Sequence, residues 1–183
     1  MTVVIVLLVI LAIFVIWGIS VYNTLIQGKN KVKNAFAQID TVLQRRFDLI
    51  PNLIETVKGY ASHESSLLEK ITHARTAYLN ASSAEGKLEA EGILSSSLKS
   101  LFAVAENYPE LKANTNFLQL QSELGNTEDK ISHARQFYND TVTRFNNSIA
   151  TFPNSIIAGI FGFKESDLFK ADDATRENPK VQF

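Results

Sequence analysis

The side chains in this sequence that could do chemistry are gathered in two matching segments. Glu69-Lys70-Ile71-Thr72-His73-Ala74-Arg75-Thr76-Ala77-Tyr78 and Asp129-Lys130-Ile131-Ser132-His133-Ala134-Arg135-Gln136-Phe137-Tyr138 share an acid-Lys-Ile-hydroxyl-His-Ala-Arg-x-x-Tyr pattern. In each, a carboxylate precedes an imidazole by one helical turn and shares its face, the beginning of a metal site. Di-iron bundles, however, use Glu-x-x-His together with Glu from two other helices, and the corresponding positions here hold Lys70 and Lys130. The Ile, Ala and Tyr of both segments fall on apolar seam positions, so the repeat reads as two equivalent packing slots with each His beside the core and paired locally. His63-Glu64 opens like a zincin motif without its second His. No P-loop, G-x-G-x-x-G or G-x-S-x-G run occurs. Gly159 and Gly162 are two small residues in an apolar run. No catalytic residue, metal or cofactor is expected.

Composition narrows the class further. The 183 residues leave room for one modest domain and an anchor. A net charge of -1 supplies no basic field for nucleic acid. The absence of cysteine excludes disulfides, thiolate chemistry and zinc fingers, and agrees with a reducing compartment. Only 4 prolines and 8 glycines punctuate the chain, which predicts long helices and an all-α fold.

The element that must position everything else is residues 32–60. Val32, Phe36, Ile39, Leu43, Arg46, Ile50, Leu53, Val57 and Tyr60 step by four and three, the seam of a helix packed on other helices. Val42, Leu49 and Ile54 widen that seam into a bundle face. Arg46 alone breaks the apolar run. It extends to the surface, the commoner outcome, or lies buried against a carboxylate or a free carbonyl, with Asp48 and the carbonyls released by Pro51 as nearby partners. Pro51 removes an N–H and crowds the Phe47 carbonyl, at a cost of about 3 kcal/mol or more, so a kink is expected over residues 47–51. A restarted helix capped by Asp48, with Pro51 in its first turn, is the alternative. The heptad phase runs through the proline, which favours the kink.

Ahead of this helix, residues 1–28 contain no Asp, Glu, Lys or Arg. About 20 apolar residues span a bilayer core of about 30 Å, so residues 1–22 read as a transmembrane anchor, with Trp17 and Tyr22 in the interfacial aromatic belt. A cleaved signal peptide is disfavoured by the missing basic side chain before the run and the missing A-x-A site after it. Lys29, Lys31 and Lys33 follow the span, which places the helical domain in the cytoplasm and the amino terminus outside. No Gly, Ser or Pro linker intervenes, so the span is expected to run directly into the scaffold helix.

Residues 23–152 then form the helical domain. A turn is expected near residues 61–65, with Ser66 and Glu69 as a capping box, or Ser62 as a second candidate cap, opening a second helix on Leu67, Ile71, Ala74 and Tyr78. A third carries Leu88, Leu94, Leu98, Leu101, Ala105 and Tyr108 and stops at Pro109. A fourth, capped within Asn114 to Asn116 with Asn116 and Gln119 in box spacing, runs on a seam from Phe117 to Phe152, about 35 residues or 52 Å. Long first and last helices and two shorter ones make an elongated antiparallel four-helix bundle with up-down-up-down order. Its fourth helix returns to the bilayer and delivers residues 153–183. There Ile156, Ile157, Ile160, Phe161 and Phe163 form an apolar run too short to span. It is expected in the membrane interface, against the base of the bundle or on a neighbouring subunit. The tail from residue 164 is expected to be irregular.

The chain resembles the LemA family. The residues that carry the likeness are Asn30-Lys31-Val32, Ile39-Asp40, Leu43-Gln44-Arg45-Arg46-Phe47-Asp48-Leu49-Ile50-Pro51-Asn52-Leu53, Val57-Lys58-Gly59-Tyr60, Glu106-Asn107-Tyr108-Pro109-Glu110-Leu111 and Phe152-Pro153. The resemblance implies a bacterial membrane protein with one amino-terminal span and an elongated helical bundle, and it brings no catalytic residues. Residues and resemblance together lead to the expectation of a non-enzymatic, membrane-anchored scaffold in the inner membrane. Such a scaffold self-associates and organises partners at the cytoplasmic face. Its partners are the lipid bilayer, further copies of itself and an unidentified membrane or cytoplasmic protein, with no nucleic acid. An adaptor in envelope stress or membrane-protein quality control, and a lipid-binding, membrane-remodelling assembly, are the alternatives.

Overall fold

The computed structural model describes residues 1–169, with only the backbone of Ala84 and Glu85. Its elements are α1 (Thr2–Asp48), α2 (Ile50–Lys58), α3 (Ser65–Asn80), α4 (Ala84–Ala105), α5 (Pro109–Ala113), α6 (Thr115–Ala150) and α7 (Asn154–Ile160). No strand occurs among the described residues. The chain is all-α, with the long first and last bundle helices its seams predict. Two compact units form, one from Met1–Ile39 with the chain from His133 on, the other from Asp40–Ser132.

Local chemistry sets where the helices stop. Pro51 has no N–H for the carbonyl of Phe47, and the ladder opens at Leu49, whose N–H donates instead to the Arg46 carbonyl at 3.2 Å. Leu49 keeps helical angles (φ −77°, ψ −21°), and α2 resumes at once with Pro51 in its first turn. No side chain caps α2, and Asp48 Oδ1 accepts from Gln44 Nε2 at 2.9 Å. The seam ends at Val57, because Tyr60 lies beyond α2 and is exposed.

The expected capping box at Ser66 does not form. Ser65 already lies in α3, and its first turn has no side-chain cap. Ser83 Oγ caps α4 by accepting from the Gly86 N–H at 3.1 Å. Asn114 Oδ1 caps α6 from the Phe117 N–H at 3.0 Å, leaving Asn116 inside the first turn rather than at the cap. The third predicted helix, expected to run to Tyr108 and stop at Pro109, ends earlier, at Ala105; Tyr108 is non-helical before Pro109, which opens the short α5.

The second unit packs parts of α1, α2, α3, α4 and α6 around one core. Ile39's successors Leu43, Phe47, Ile50, Leu53 and Val57 are buried with Leu68, Ile71, Ala74 and Tyr78 of α3 and Leu94, Leu98 and Leu101 of α4. Phe117, Leu124 and Ile131 close it from α6. Phe47 stacks on Tyr78 with ring centroids 4.1 Å apart, and Phe102 meets Phe117 edge-on at 6.1 Å.

The first unit has a smaller core: Val21, Leu25 and Val32 of α1, Val142, Phe145 and Ile149 of α6, and Ala158 of α7. Its two long helices run antiparallel, since Phe36 faces Tyr138 while Gly28 lies against Phe145. A Cβ at Gly28 would stand 3.0 Å from Phe145 Cδ2, so glycine lets the helices close there.

Candidate functional site

The residues with the clearest prospect of a contact role lie at the end of the first unit. Every side chain from Val3 to Ile16 is exposed, and this helix is long and apolar enough to cross a membrane by length and composition. Trp17 is half-buried against the unit's core, and Ile157 packs at Gly18, its Cδ1 at ordinary contact distance, 3.7 Å, from where a Cβ would stand. Thus α7 docks where the apolar stretch of α1 ends. Tyr22 meets Phe161 at 4.6 Å and Phe163 at 5.9 Å between ring centroids.

A glycine fixes the turn after α7. Gly162 has φ +67°, its N–H donates to the Gly159 carbonyl at 3.3 Å, and the Phe163 N–H reaches the Ala158 carbonyl at 2.9 Å. That pair of bonds is a Schellman motif, which turns Phe163 back onto the core. One face of α7 is thereby committed, through Ala158 and Ile157. The other is left open by the described residues: Ile156 is 50% and Ile160 70% exposed, and Phe161, just past the helix, is 58% exposed despite its contact with Tyr22. Phe152, expected on the α6 seam, lies past the helix end and is 81% exposed.

The chain beyond α7 is held in a way the periodicities did not signal. Asn146 accepts from the Ser166 N–H at 2.9 Å and donates to its carbonyl at 2.9 Å. Asn139 does the same with Phe169, at 2.8 and 3.1 Å. Seven helical residues rise about 10 Å, the reach of three extended residues, so two carboxamides a heptad apart grip an extended segment in register. The heptad spacing of Asn139 and Asn146 is the signal that could have found it. Phe169 also stacks against Phe36 and Tyr138. Residues 164–169 are neither helix nor strand, and the rest of the tail expected to be irregular lies outside the described residues.

In the second unit Arg46 is buried, not extended to the surface. Its Nη1 lies 2.9 Å from Glu91 Oε1 and also pairs with Glu128, so the partners come from α4 and α6 rather than from Asp48 or the carbonyls near Pro51. Glu91 is as buried as Arg46 and also accepts from the Ser95 hydroxyl at 2.8 Å. It was legible: Leu88, Glu91, Leu94 and Leu98 step by three and four, so an acid stands on the α4 seam as Arg46 stands on its own.

Asp40, Tyr78 and Lys87 form a second polar cluster. Asp40 Oδ1 accepts from the Tyr78 hydroxyl at 2.8 Å and from Lys87 Nζ at 2.7 Å. Burial alone would raise the Asp40 carboxyl, but the hydrogen bonds from Lys87 and Tyr78 and the Lys87 charge outweigh it and hold the group below its ordinary value. Burial, then the bond to Asp40, raises the Tyr78 phenol. A carboxyl lowered on folding adds stability above its unfolded value, about 3.9, and loses it as the pH falls through the folded value. Urea unfolding of the detergent-solubilised chain therefore separates wild type from Asp40→Asn by a constant margin at pH 5–8, shrinking below about pH 4. A margin unchanged at pH 2.5 would contradict the cluster. His73 and His133 are exposed rather than shouldering the core, while Ile71, Ala74 and Tyr78 fill the seam positions of the first repeat as expected.

Comparison with known proteins agrees with this architecture. A model described as the LemA family matches residues 35–183. Protein LemA of Metamycoplasma hominis is 28% identical over 155 residues, covering 84% of this chain and 71% of its own. Magnetosome protein MamQ 2 of Paramagnetospirillum magneticum is 24% identical, covering 84% of this chain and 66% of its own. Magnetosome protein MamQ of Magnetospirillum gryphiswaldense is 21% identical, covering 81% and 64%. With the apolar first helix, these relatives support a membrane-associated helical protein.

Proposed function

We propose, since this chain belongs to the LemA family, that it is a non-enzymatic, membrane-anchored helical scaffold whose copies associate laterally and organise partner proteins at the cytoplasmic face of the inner membrane. One observation carries the reading: an apolar helix left uncovered by the other described residues ends beside a second apolar surface they leave uncovered, the outer face of α7. Lipid solvates the first. The second sits at the level of Trp17 and Tyr22, where hydrocarbon gives way to headgroups and an uncharged amphipathic turn is stable half-immersed. Lys29, Lys31 and Lys33 orient the domain to the cytoplasm under the positive-inside rule.

Self-association uses the same end of the molecule. Ile156, Ile160 and Phe161 either enter the interface or meet their counterparts on a neighbouring copy, and mass measurement of the full chain in nanodiscs decides between them. Oligomers that fall to monomers in Ile160→Glu/Phe161→Glu place the contact on α7. Oligomers that persist while the variant becomes more protease-accessible at residues 152–163 place α7 in lipid. A wild-type particle that is monomeric at every concentration removes the assembly from the proposal.

A further inference from the structure

We propose that a groove between α1 and α6 of the first unit binds a phosphate-bearing anion, supplied as the headgroup of an acidic membrane lipid. The groove encloses about 440 Å³ between a stripe of α1 that includes Gln27, Gly28, Lys31 and Asn34 and a stripe of α6 that includes Arg144 and Ser148. Both stripes repeat at three and four residues, so each presents one continuous helix face to the groove. Among the described residues the lining carries two cations and no acid. Around them stand amides and hydroxyls, with the rings of Phe137 and Phe145 beside them. A guanidinium can bind two oxygens of a tetrahedral anion at once, the ammonium adds a point charge, and the amides and hydroxyls can complete the coordination.

Depth supplies the source of the anion. If about 20 residues cross the hydrocarbon and end by Tyr22, Gly28 lies about 9 Å and Lys31 about 14 Å beyond it along α1. The headgroup layer is about 5–8 Å thick on each side, so the end of the groove at Thr24 and Gln27, about 3–8 Å beyond Tyr22, lies at its depth, and the flexible stem of Lys31 reaches back toward it from beyond. The inference rests on the membrane seating of α1 and is independent of self-association.

Native mass spectrometry of the full chain in detergent, with dioleoyl phosphatidylglycerol, dioleoyl phosphatidylcholine or inorganic phosphate as probe, tests it. The phosphatidylglycerol adduct is expected in clear excess over phosphatidylcholine, to fall roughly thirtyfold in Lys31→Gln/Arg144→Gln, and to change little in Lys29→Gln/Lys33→Gln, whose side chains lie outside the groove. Helical circular dichroism shows that these exposed substitutions leave the fold intact. Equal capture of the two lipids overturns the proposal, as does an equal loss in both double variants, which would mean diffuse charge. Full displacement of the lipid by millimolar inorganic phosphate overturns the lipid source and assigns the groove to a soluble anion. A failure of anchorage itself would appear separately, in extraction from washed membranes.

Discussion

Deleting Thr2–Ile16 from the chain moves it from the carbonate-washed membrane pellet to the supernatant. These residues are exposed throughout and make no contact with the core of the first unit, which begins at Trp17. Nearly all are Val, Ile, Leu or Phe, each worth about 0.3–0.6 kcal/mol at the centre of an inserted helix, so the deletion forfeits several kcal/mol of insertion free energy. What remains before Lys29 is far short of the length of about 20 residues that a span requires. Trp17, Gly18, Val21 and Tyr22 are retained, so α7 keeps its seat and the helical content per residue changes little. A deleted chain that stays in the washed pellet would transfer the work of anchorage to α7 or to a partner protein.

Glu91→Ala destabilises the second unit by about 3 kcal/mol, the lower end of the cost of breaking a buried ion pair, because Glu128 still faces Arg46. Arg46→Leu is expected to cost a similar amount, since it removes the cation from beside a carboxylate that the α4 seam keeps away from water. The paired substitution Arg46→Leu/Glu91→Leu returns stability to within about 1 kcal/mol of wild type, because neither charge is then left buried and two apolar seams are completed. The double-mutant cycle is measured by urea unfolding of the detergent-solubilised chain. An Arg46→Leu chain that is more stable than wild type and still folds cooperatively would show that the pair does not specify the packing. What the pair adds is register: one cation on the α1 seam and one acid on the α4 seam match at a single alignment.

Much of this molecule was written in local pattern. The seams of α1, α2 and α6 follow from residues three and four apart, because a helix brings such residues to one face whatever surrounds it. The break before α2 follows from the chemistry of one residue, Pro51. Caps were partly legible: Asn114 caps α6 within the expected Asn114 to Asn116, while Ser66 and Asn116 have the right neighbours in sequence but stand inside their helices, where only the incoming backbone selects the cap. Histidines at repeat positions drew attention for their chemistry, yet the apolar residues beside them fill the seam and leave His73 and His133 in solvent.

Sequence by itself determined the helical class, the apolar first segment, the two long seams and the place of Arg46 within one of them. All of these depend on spacing within a turn or two, or on hydropathy summed along a short stretch. Tertiary structure alone decided that Arg46 meets Glu91 and Glu128 instead of Asp48, that Asn139 and Asn146 hold the segment after α7, and that one face of α7 stays bare beside Tyr22. Those outcomes depend on which distant helices close around a buried charge or an open backbone, and the free energy of that choice is settled only when water has been excluded from all of them together.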